Sequence, residues 1–117
     1  MISIDATKLT GERLDYAVAV AIDGCKQDYK FFLVEYLSGK WNYSTCWNKT
    51  GPLIDRLMIQ VFVVDDSTSP VLWRAEISDP FKVKFSCIGR GPMEAALRCM
   101  VASKLGSTIK VPSELRG

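Results

Sequence analysis

The 117-residue chain is long enough for one domain with a single core, and its 48% hydrophobic and 24% charged residues are typical of a folded globular protein. Its net charge of +2 is too small to indicate nucleic acid or a membrane surface as a partner. Because histidine is absent, Ser-His-Asp and Cys-His catalysis are excluded and the commonest metal ligand is missing.

The cysteines favour buried thiols over a metal site. None of Cys25, Cys46, Cys87 and Cys99 belongs to a C-x-x-C pair, so we predict no zinc site, no other metal and no cofactor. Cys87 and Cys99 fall at apolar positions of a predicted strand and a predicted helix. The longest apolar run, YAVAVAI, is too short to span a bilayer, and no signal peptide is visible. We therefore expect a reducing cytoplasm as the compartment.

The first predicted element is an amphipathic helix in LTGERLDYAVAVAIDG. Thr10 is the expected N-cap, and Glu12 lies in the first turn, where a carboxylate meets the positive end of the helix. Asp23 and Gly24 end the pattern. The apolar residues at helical spacing are Leu14, Ala17, Val18 and Ala21.

The next segment is predicted to form a hairpin. Residues 28–37, DYKFFLVEYL, are rich in aromatic and β-branched residues, and Ser38-Gly39 is a turn signal. Residues 40–45 are the expected return strand. GPLIDRL then predicts one helical turn, with Pro52 at the first helical position. In this interpretation Trp47 lies on a loop.

Three further strands are predicted at residues 58–64, 71–77 and 81–87. The last two alternate strictly between apolar and polar residues, which indicates an antiparallel sheet with one face exposed to water. The residues predicted to face inward are Val71, Trp73, Ala75, Ile77, Phe81, Val83, Phe85 and Cys87.

The last predicted helix covers that sheet. Pro92 suits its first position, Glu94 lies in the first turn, and Gly106 ends it. The tail, residues 108–117, is expected to add an edge segment. The predicted fold is a single α+β domain over residues 1–117: an antiparallel sheet of about five strands with an N-terminal and a C-terminal helix packed on one face.

One candidate binding surface surrounds the Gly51-Pro52 turn. Tyr43 and Trp47 can stack on a planar ligand, Thr45 offers a hydroxyl, and Arg56 can hold a phosphate. The alternatives are that Trp47 fills the end of the core and that Arg56 pairs with a surface acid.

A second candidate lies in GRGP, where the last helix begins. Its free backbone N–H groups and the helix dipole favour an anion, Gly91 allows close approach, and Arg90 adds charge. A lone G-x-G is a weak signal, however, and the alternative is a simple strand-to-helix turn. Arg98 either faces this pocket or pairs with Glu94 four residues before it.

Other chemistry is weakly supported. Arg74, Lys82 and Lys84 make the predicted outer sheet face basic, but Glu76 and the low net charge oppose nucleic-acid binding. The carboxylates are scattered along the chain, so we predict a protein that is not an enzyme. On the last helix, the small residues Ala95, Cys99 and Ala102 permit close approach by the first helix or by another subunit.

Three blocks of the sequence resemble, in order, the NinX-like bacteriophage protein family. They are LTGERLDYAVAVAIDG, YSTCWNKTGPLIDR and GPMEAALRCMVASKLGSTIKVPSEL. The family reads L-T-G-x-x-L-D-W-A-V-A, then Y-S-T-D-W-x-x-G-G-P-I-I, then A-A-M-R-C-x-V-A-S-K-L-G with V-P-x-E-L near the end. This chain departs from it at Tyr16, Cys46, Thr50 and Leu97.

The resemblance implies a small phage accessory protein made in the cytoplasm of the infected bacterium. We hypothesise a homo-oligomer without catalytic activity that sequesters a nucleotide-like anionic signal of host defence, bound by Tyr43, Thr45, Trp47, Arg56, Arg90, Gly91 and Arg98. One alternative is a stoichiometric inhibitor of a host protein, for which exposed Trp, Tyr and Arg are typical contact residues. Another is a nucleic-acid-binding accessory protein in phage recombination.

Overall fold

The computed structural model, which describes residues 1–23, 35–65, 67, 69–78 and 84–117, has an α+β architecture. Within these residues five strands pair antiparallel, in one sheet of two strands and one of three, which confirms the predicted fold class. In chain order the elements are β1 (Ile2–Asp5), a 3₁₀ helix (Ala6–Lys8), α1 (Gly11–Asp23), a second 3₁₀ helix (Tyr43–Thr45), α2 (Trp47–Arg56), β2 (Gln60–Asp65), β3 (Leu72–Ser78), β4 (Lys84–Gly89), α3 (Pro92–Leu105) and β5 (Thr108–Val111).

The two-stranded sheet joins the beginning of the described chain to its tail. β1 pairs with β5, with Ile2 opposite Val111 and Ile4 opposite Ile109. Ile109 and Val111 are buried while the residues between and before them are exposed. The tail therefore forms the expected edge segment, whereas β1 was not predicted because its four residues carry little pattern.

The three-stranded sheet has the order β2-β3-β4 and one buried face. Ala75 lies between Val61 and Cys87 in the register, and both Ala75 and Cys87 are buried. The adjacent row, Phe62–Arg74–Ile88, lies on the opposite face. The alternation predicted for the third and fourth strands is confirmed at these positions.

Helix α3 covers the buried face, with contacts to all three strands. Pro92 is its first residue, and the Glu94 carboxylate accepts a hydrogen bond from the Arg90 N–H at 3.0 Å. Gly106 follows the helix with a φ of 97°, which an L side chain rarely adopts. Helix α1 packs on α3 and on β5. α3 therefore contacts both α1 and the three-stranded sheet.

Gly89 determines how closely α3 approaches the sheet. A Cβ added to this residue would lie 2.5 Å from the Ala95 nitrogen and 3.0 Å from its Cα. Ala95 and Cys99 are fully buried, so the small residues of α3 are used inside the chain. The prediction was a close approach by the first helix or by another subunit; α1 does pack on α3, and the end of β4 also comes close to Ala95.

The hairpin predicted over residues 28–45 is wrong where the structure describes it. Residues 35–37 are helical, and residues 28–34 lie outside the described part of the chain. The Gly39 N–H donates to the Tyr36 carbonyl, the Lys40 N–H donates to the Glu35 carbonyl, and Gly39 has a φ of 88°. These are the two hydrogen bonds of a Schellman motif, so Ser38-Gly39 ends a helix instead of joining two strands.

The helix predicted around Pro52 begins five residues earlier than expected. α2 starts at Trp47, so Trp47 is not on a loop and Pro52 lies inside the helix. The missing N–H of Pro52 removes one helical hydrogen bond. Buried Thr50 and Leu53 anchor the helix around this position, which indicates that packing overrides the local preference for a helix start at proline.

We expect Gly89→Ala to lower the free energy of unfolding by about 1–3 kcal/mol, because the new methyl group meets the backbone of Ala95. Urea denaturation measures the change. Gly91→Ala is the matched control, since nothing lies within 4 Å of the Cβ it would add and its φ of −166° is ordinary extended backbone. Equal stability of the two variants would contradict this account of the packing.

Candidate functional site

A buried carboxylate in α1 organises the segment that carries Tyr43, Thr45 and Trp47. Asp15 is fully buried and accepts three hydrogen bonds. The Ser44 N–H and hydroxyl donate at 2.7 and 3.0 Å, and the Tyr36 hydroxyl donates at 2.9 Å. The Ser44 N–H is therefore bound by a side chain and not by a neighbouring strand, which explains why residues 40–45 do not form a strand.

Burial of Asp15 shifts its ionisation. Removal from water raises the pKa of this carboxyl from 3.8 to about 6, against the lowering effect of the hydrogen bonds from Ser44 and Tyr36 and of the nearby Lys49. Burial, and then the hydrogen bond to Asp15, also raises the pKa of the Tyr36 hydroxyl. The Asp15 carboxylate thus orders the segment through its hydrogen bonds, although its ionised form is unfavourable in the interior near neutral pH.

Further hydrogen bonds fix the same segment to the start of α2. The ammonium group of Lys49 donates to the Gly39 and Lys40 carbonyls. The buried Thr50 hydroxyl donates to the Tyr43 carbonyl at 2.5 Å. The Trp41 indole N–H donates to the Glu35 carboxylate at 2.6 Å. Residues 35–50 are therefore held by side chains at several points.

Trp47 is exposed at the N-terminal end of α2. Its side chain is 51% exposed, so it does not fill the end of the core. The N-cap residue, Cys46, provides no side-chain hydrogen bond, and the backbone N–H groups of Trp47 and Asn48 donate no hydrogen bond within the described residues. An exposed indole thus adjoins two free N–H groups at the positive end of a helix.

Tyr43 and Thr45 lie in the 3₁₀ helix directly before this point. The Tyr43 ring is partly buried against the core, and the exposed Thr45 donates a weak hydrogen bond of 3.4 Å to the Asn42 carbonyl. The Asn42 side-chain oxygen is buried without a hydrogen-bond partner. The structure therefore brings together Tyr43, Thr45 and Trp47 of the predicted set.

The structure separates Arg56 from Trp47. Arg56 is the last residue of the ten-residue helix that Trp47 begins. At 1.5 Å per residue, the two lie about 14 Å apart along the axis. The sequence predicted that both residues contact one ligand. A ligand stacked on the indole would have to span this distance to be held by Arg56 as well.

The three predicted residues of α3 have different environments. Gly91 is its N-cap, and Arg90 is exposed and 3.9 Å from Glu94. Arg98 is buried and donates to the Leu9 and Ile88 carbonyls, each at 2.7 Å, while its Nη2 lies 3.1 Å from the Glu94 carboxylate. Arg98 is thus bound to the protein itself, and the ion pair with Glu94 is the environment observed. A pocket shared by these residues and Trp47 stays a prediction.

Sequence reasoning missed Asp15 and Ser44. The signal for Asp15 was a single carboxylate within the apolar run LDYAVAV, where an unpaired charge is unfavourable. No pattern around Ser44 predicted that its backbone N–H would be the partner. The pairing depends on a contact 29 residues apart in the chain.

The described part of the chain has neither a cluster of metal-binding side chains nor a membrane-spanning helix. No group of three or more potential metal-binding side chains occurs there. The helices in these residues are all too short or too polar to cross a membrane.

Comparison with known proteins identifies a family. The family model described as Bacteriophage P22, NinX matches residues 5–104, which includes all of the first two blocks and most of the third. No curated protein matches the chain.

The raised pKa of Asp15 predicts a pH-dependent stability. A carboxyl with a higher pKa in the folded than in the unfolded protein stabilises the fold fully below about pH 4, and this contribution is lost as the pH rises through about 6. We expect the free energy of unfolding to fall between pH 4 and 7 by up to about 3 kcal/mol from this group.

Asp15→Asn keeps an oxygen acceptor but cannot ionise, so urea denaturation at pH 4 and pH 7 should show a smaller fall than for the wild type. Asp55→Asn, at an exposed carboxylate of α2, is the control and should retain the wild-type difference. If Asp15→Asn also retained the wild-type difference, the ionisation of Asp15 would not be its cause.

Proposed function

This chain belongs to the NinX family of bacteriophage proteins, and on that premise we propose that it is a non-catalytic phage accessory protein that sequesters a nucleotide-like anionic signal of host defence. The observation that carries the proposal is the exposed indole of Trp47 beside two free backbone N–H groups. An aromatic plane and an anion-binding helix terminus are the two elements needed for a base and a phosphate.

The base is assigned to Trp47. Its side chain is 51% exposed although the indole is among the most apolar surfaces that a residue provides. Tyr43, partly buried nearby in sequence, contributes a second ring. Stacking on an aromatic ring is worth about 1–3 kcal/mol per base, so these residues supply affinity without requiring one particular base.

The phosphate is assigned to the start of α2. The N–H groups of Trp47 and Asn48 lie at the positive end of the helix dipole, and Cys46 places no side-chain acceptor there. The Thr45 hydroxyl is an additional donor.

The environment of this surface supports tight binding in place of turnover. Hydrogen bonds accepted by Asp15 and donated by Lys49 and Thr50 fix the segment before a ligand arrives, which reduces the ordering that binding requires. The chain has no histidine, and the carboxylate in this region, Asp15, is fully buried and occupied by Ser44 and Tyr36. In this proposal Arg56 and Arg98 do not contact the ligand. Arg90 and Gly91 are proposed to hold a second phosphate.

Isothermal titration calorimetry with a panel of linear and cyclic nucleotides tests the proposal. We expect sub-micromolar binding of at least one of them. Trp47→Ala should weaken that binding by about tenfold or more because the stacking surface is lost, and Trp47→Phe should restore part of it. Met58→Ala is the control, because this exposed apolar side chain lies two residues beyond the other end of α2, and it should bind as the wild type does.

Two results would overturn the assignment. The absence of heat with every nucleotide at saturating concentration would remove the function. If Trp47→Ala bound a nucleotide with unchanged affinity, nucleotide binding would stand but its assignment to Trp47 would be wrong.

A second candidate function, stoichiometric inhibition of a host protein, is favoured by two other side chains. Leu37 is 85% exposed and Met58 is 82% exposed, so each offers a large apolar side chain to a partner protein. We expect a host protein retained in a one-to-one ratio in pull-downs from bacterial lysate to be lost with Leu37→Ser or Met58→Ser. Ser38→Ala, at an exposed polar position beside Leu37, is the control; equal retention by all three variants would contradict this role.

A further inference from the structure

The edge of the three-stranded sheet formed by β2 is apolar, and the register of β2 with β3 shifts between Val63 and Asp65, near the end of the strand. Within the described residues β2 pairs with β3 alone, so its other side presents unpaired backbone groups. Phe62, Val63 and Val64 are 41%, 45% and 43% exposed. No lysine or proline interrupts the strand QVFVVD, although such residues commonly prevent strand-to-strand association.

Antiparallel self-pairing about Phe62 gives a favourable register. Opposed residues then lie on the same face of the sheet: Phe62 meets the Phe62 of a second copy on the outer face, and Val61 meets Val63 on the face that α3 covers. Gln60 comes opposite Val64, the residue at which the register of β2 with β3 shifts. No two like charges are opposed in this register, because the single charged residue of β2, Asp65, is at its end.

A depression at the beginning of β2 supports the same arrangement. It is open, has a volume of about 480 Å³, and is lined by Gly51, Ile54, Asp55, Met58, Ile59 and Gln60. In antiparallel pairing the end of one strand lies beside the beginning of the other. The exposed Val64 of each copy is therefore brought next to the depression of the other copy, where apolar surface is available on both sides.

We propose that β2 pairs antiparallel with the β2 strand of a second copy, forming a homodimer with a continuous six-stranded sheet. The arrangement is isologous, so it closes at two copies and leaves no new edge at the interface. This inference does not depend on nucleotide binding, because Trp47 is not part of β2.

Native mass spectrometry and sedimentation across a range of concentrations test the proposal. The wild type should have twice the 13.1 kDa mass of one chain. Val63→Lys should raise the dissociation constant by at least tenfold, because a lysine on the edge opposes pairing. Ile88→Lys is the control on β4 at the other edge of the sheet; its side chain is 40% exposed on the outer face, and this variant should remain dimeric.

A monomeric wild type at every concentration would overturn the proposal, and so would equal weakening by the two lysine variants. If Val63→Lys does not fold, as judged by circular dichroism, amide hydrogen exchange of the wild type replaces it. Dilution should then increase exchange in residues 61–64 more than in residues 85–88. Unchanged exchange on dilution would overturn the proposal in the same way.

Discussion

The burial of the Asp15 carboxylate is the constraint on which the arrangement of residues 35–50 depends. The acid lies on α1, and all three of its hydrogen-bond donors come from Tyr36 and Ser44, on the far side of a long connection. A buried charge without such partners is strongly unfavourable, so α1 and this segment must come together in one geometry. In that geometry α2 begins at Trp47, and the Trp47 side chain lies at the surface.

The blocks that define the family meet one another in three dimensions. Asp15 of the first block binds Ser44 of the second. Arg98 of the third block donates to the Leu9 carbonyl of the first, and the Arg13 side chain donates to the Leu115 carbonyl at 2.9 Å. These motifs therefore contain the residues that connect the blocks by hydrogen bonds, as well as exposed residues. Trp47 differs from these connecting residues because its side chain is half-exposed. This exposure is the reason for placing the proposed ligand there.

Elements with a strong local pattern were predictable from the sequence, and those governed by distant contacts were not. Pro92, Glu94 and Gly106 mark the ends of α3, and strict alternation revealed the buried face of the sheet at Ala75 and Cys87. The aromatic residues of 35–45 suggested a strand, but Asp15 binds the Ser44 backbone, and the Schellman motif at Gly39 ends a helix. Likewise the candidate site was found in part: exposure of Trp47 follows from the helix start, while burial of Arg98 depends on the Leu9 and Ile88 carbonyls.

The bond between Arg98 and Leu9 has a consequence for synthesis on the ribosome. It joins residues 89 positions apart, and the one between Arg13 and Leu115 joins residues 102 positions apart. β1, likewise, finds its partner only in β5. Leu9, Arg13 and β1 are therefore synthesised well before the residues that they bind, and these contacts form only after α3 and the tail have been made. Folding of this region therefore requires the closure of long loops, which is slower than the formation of local contacts.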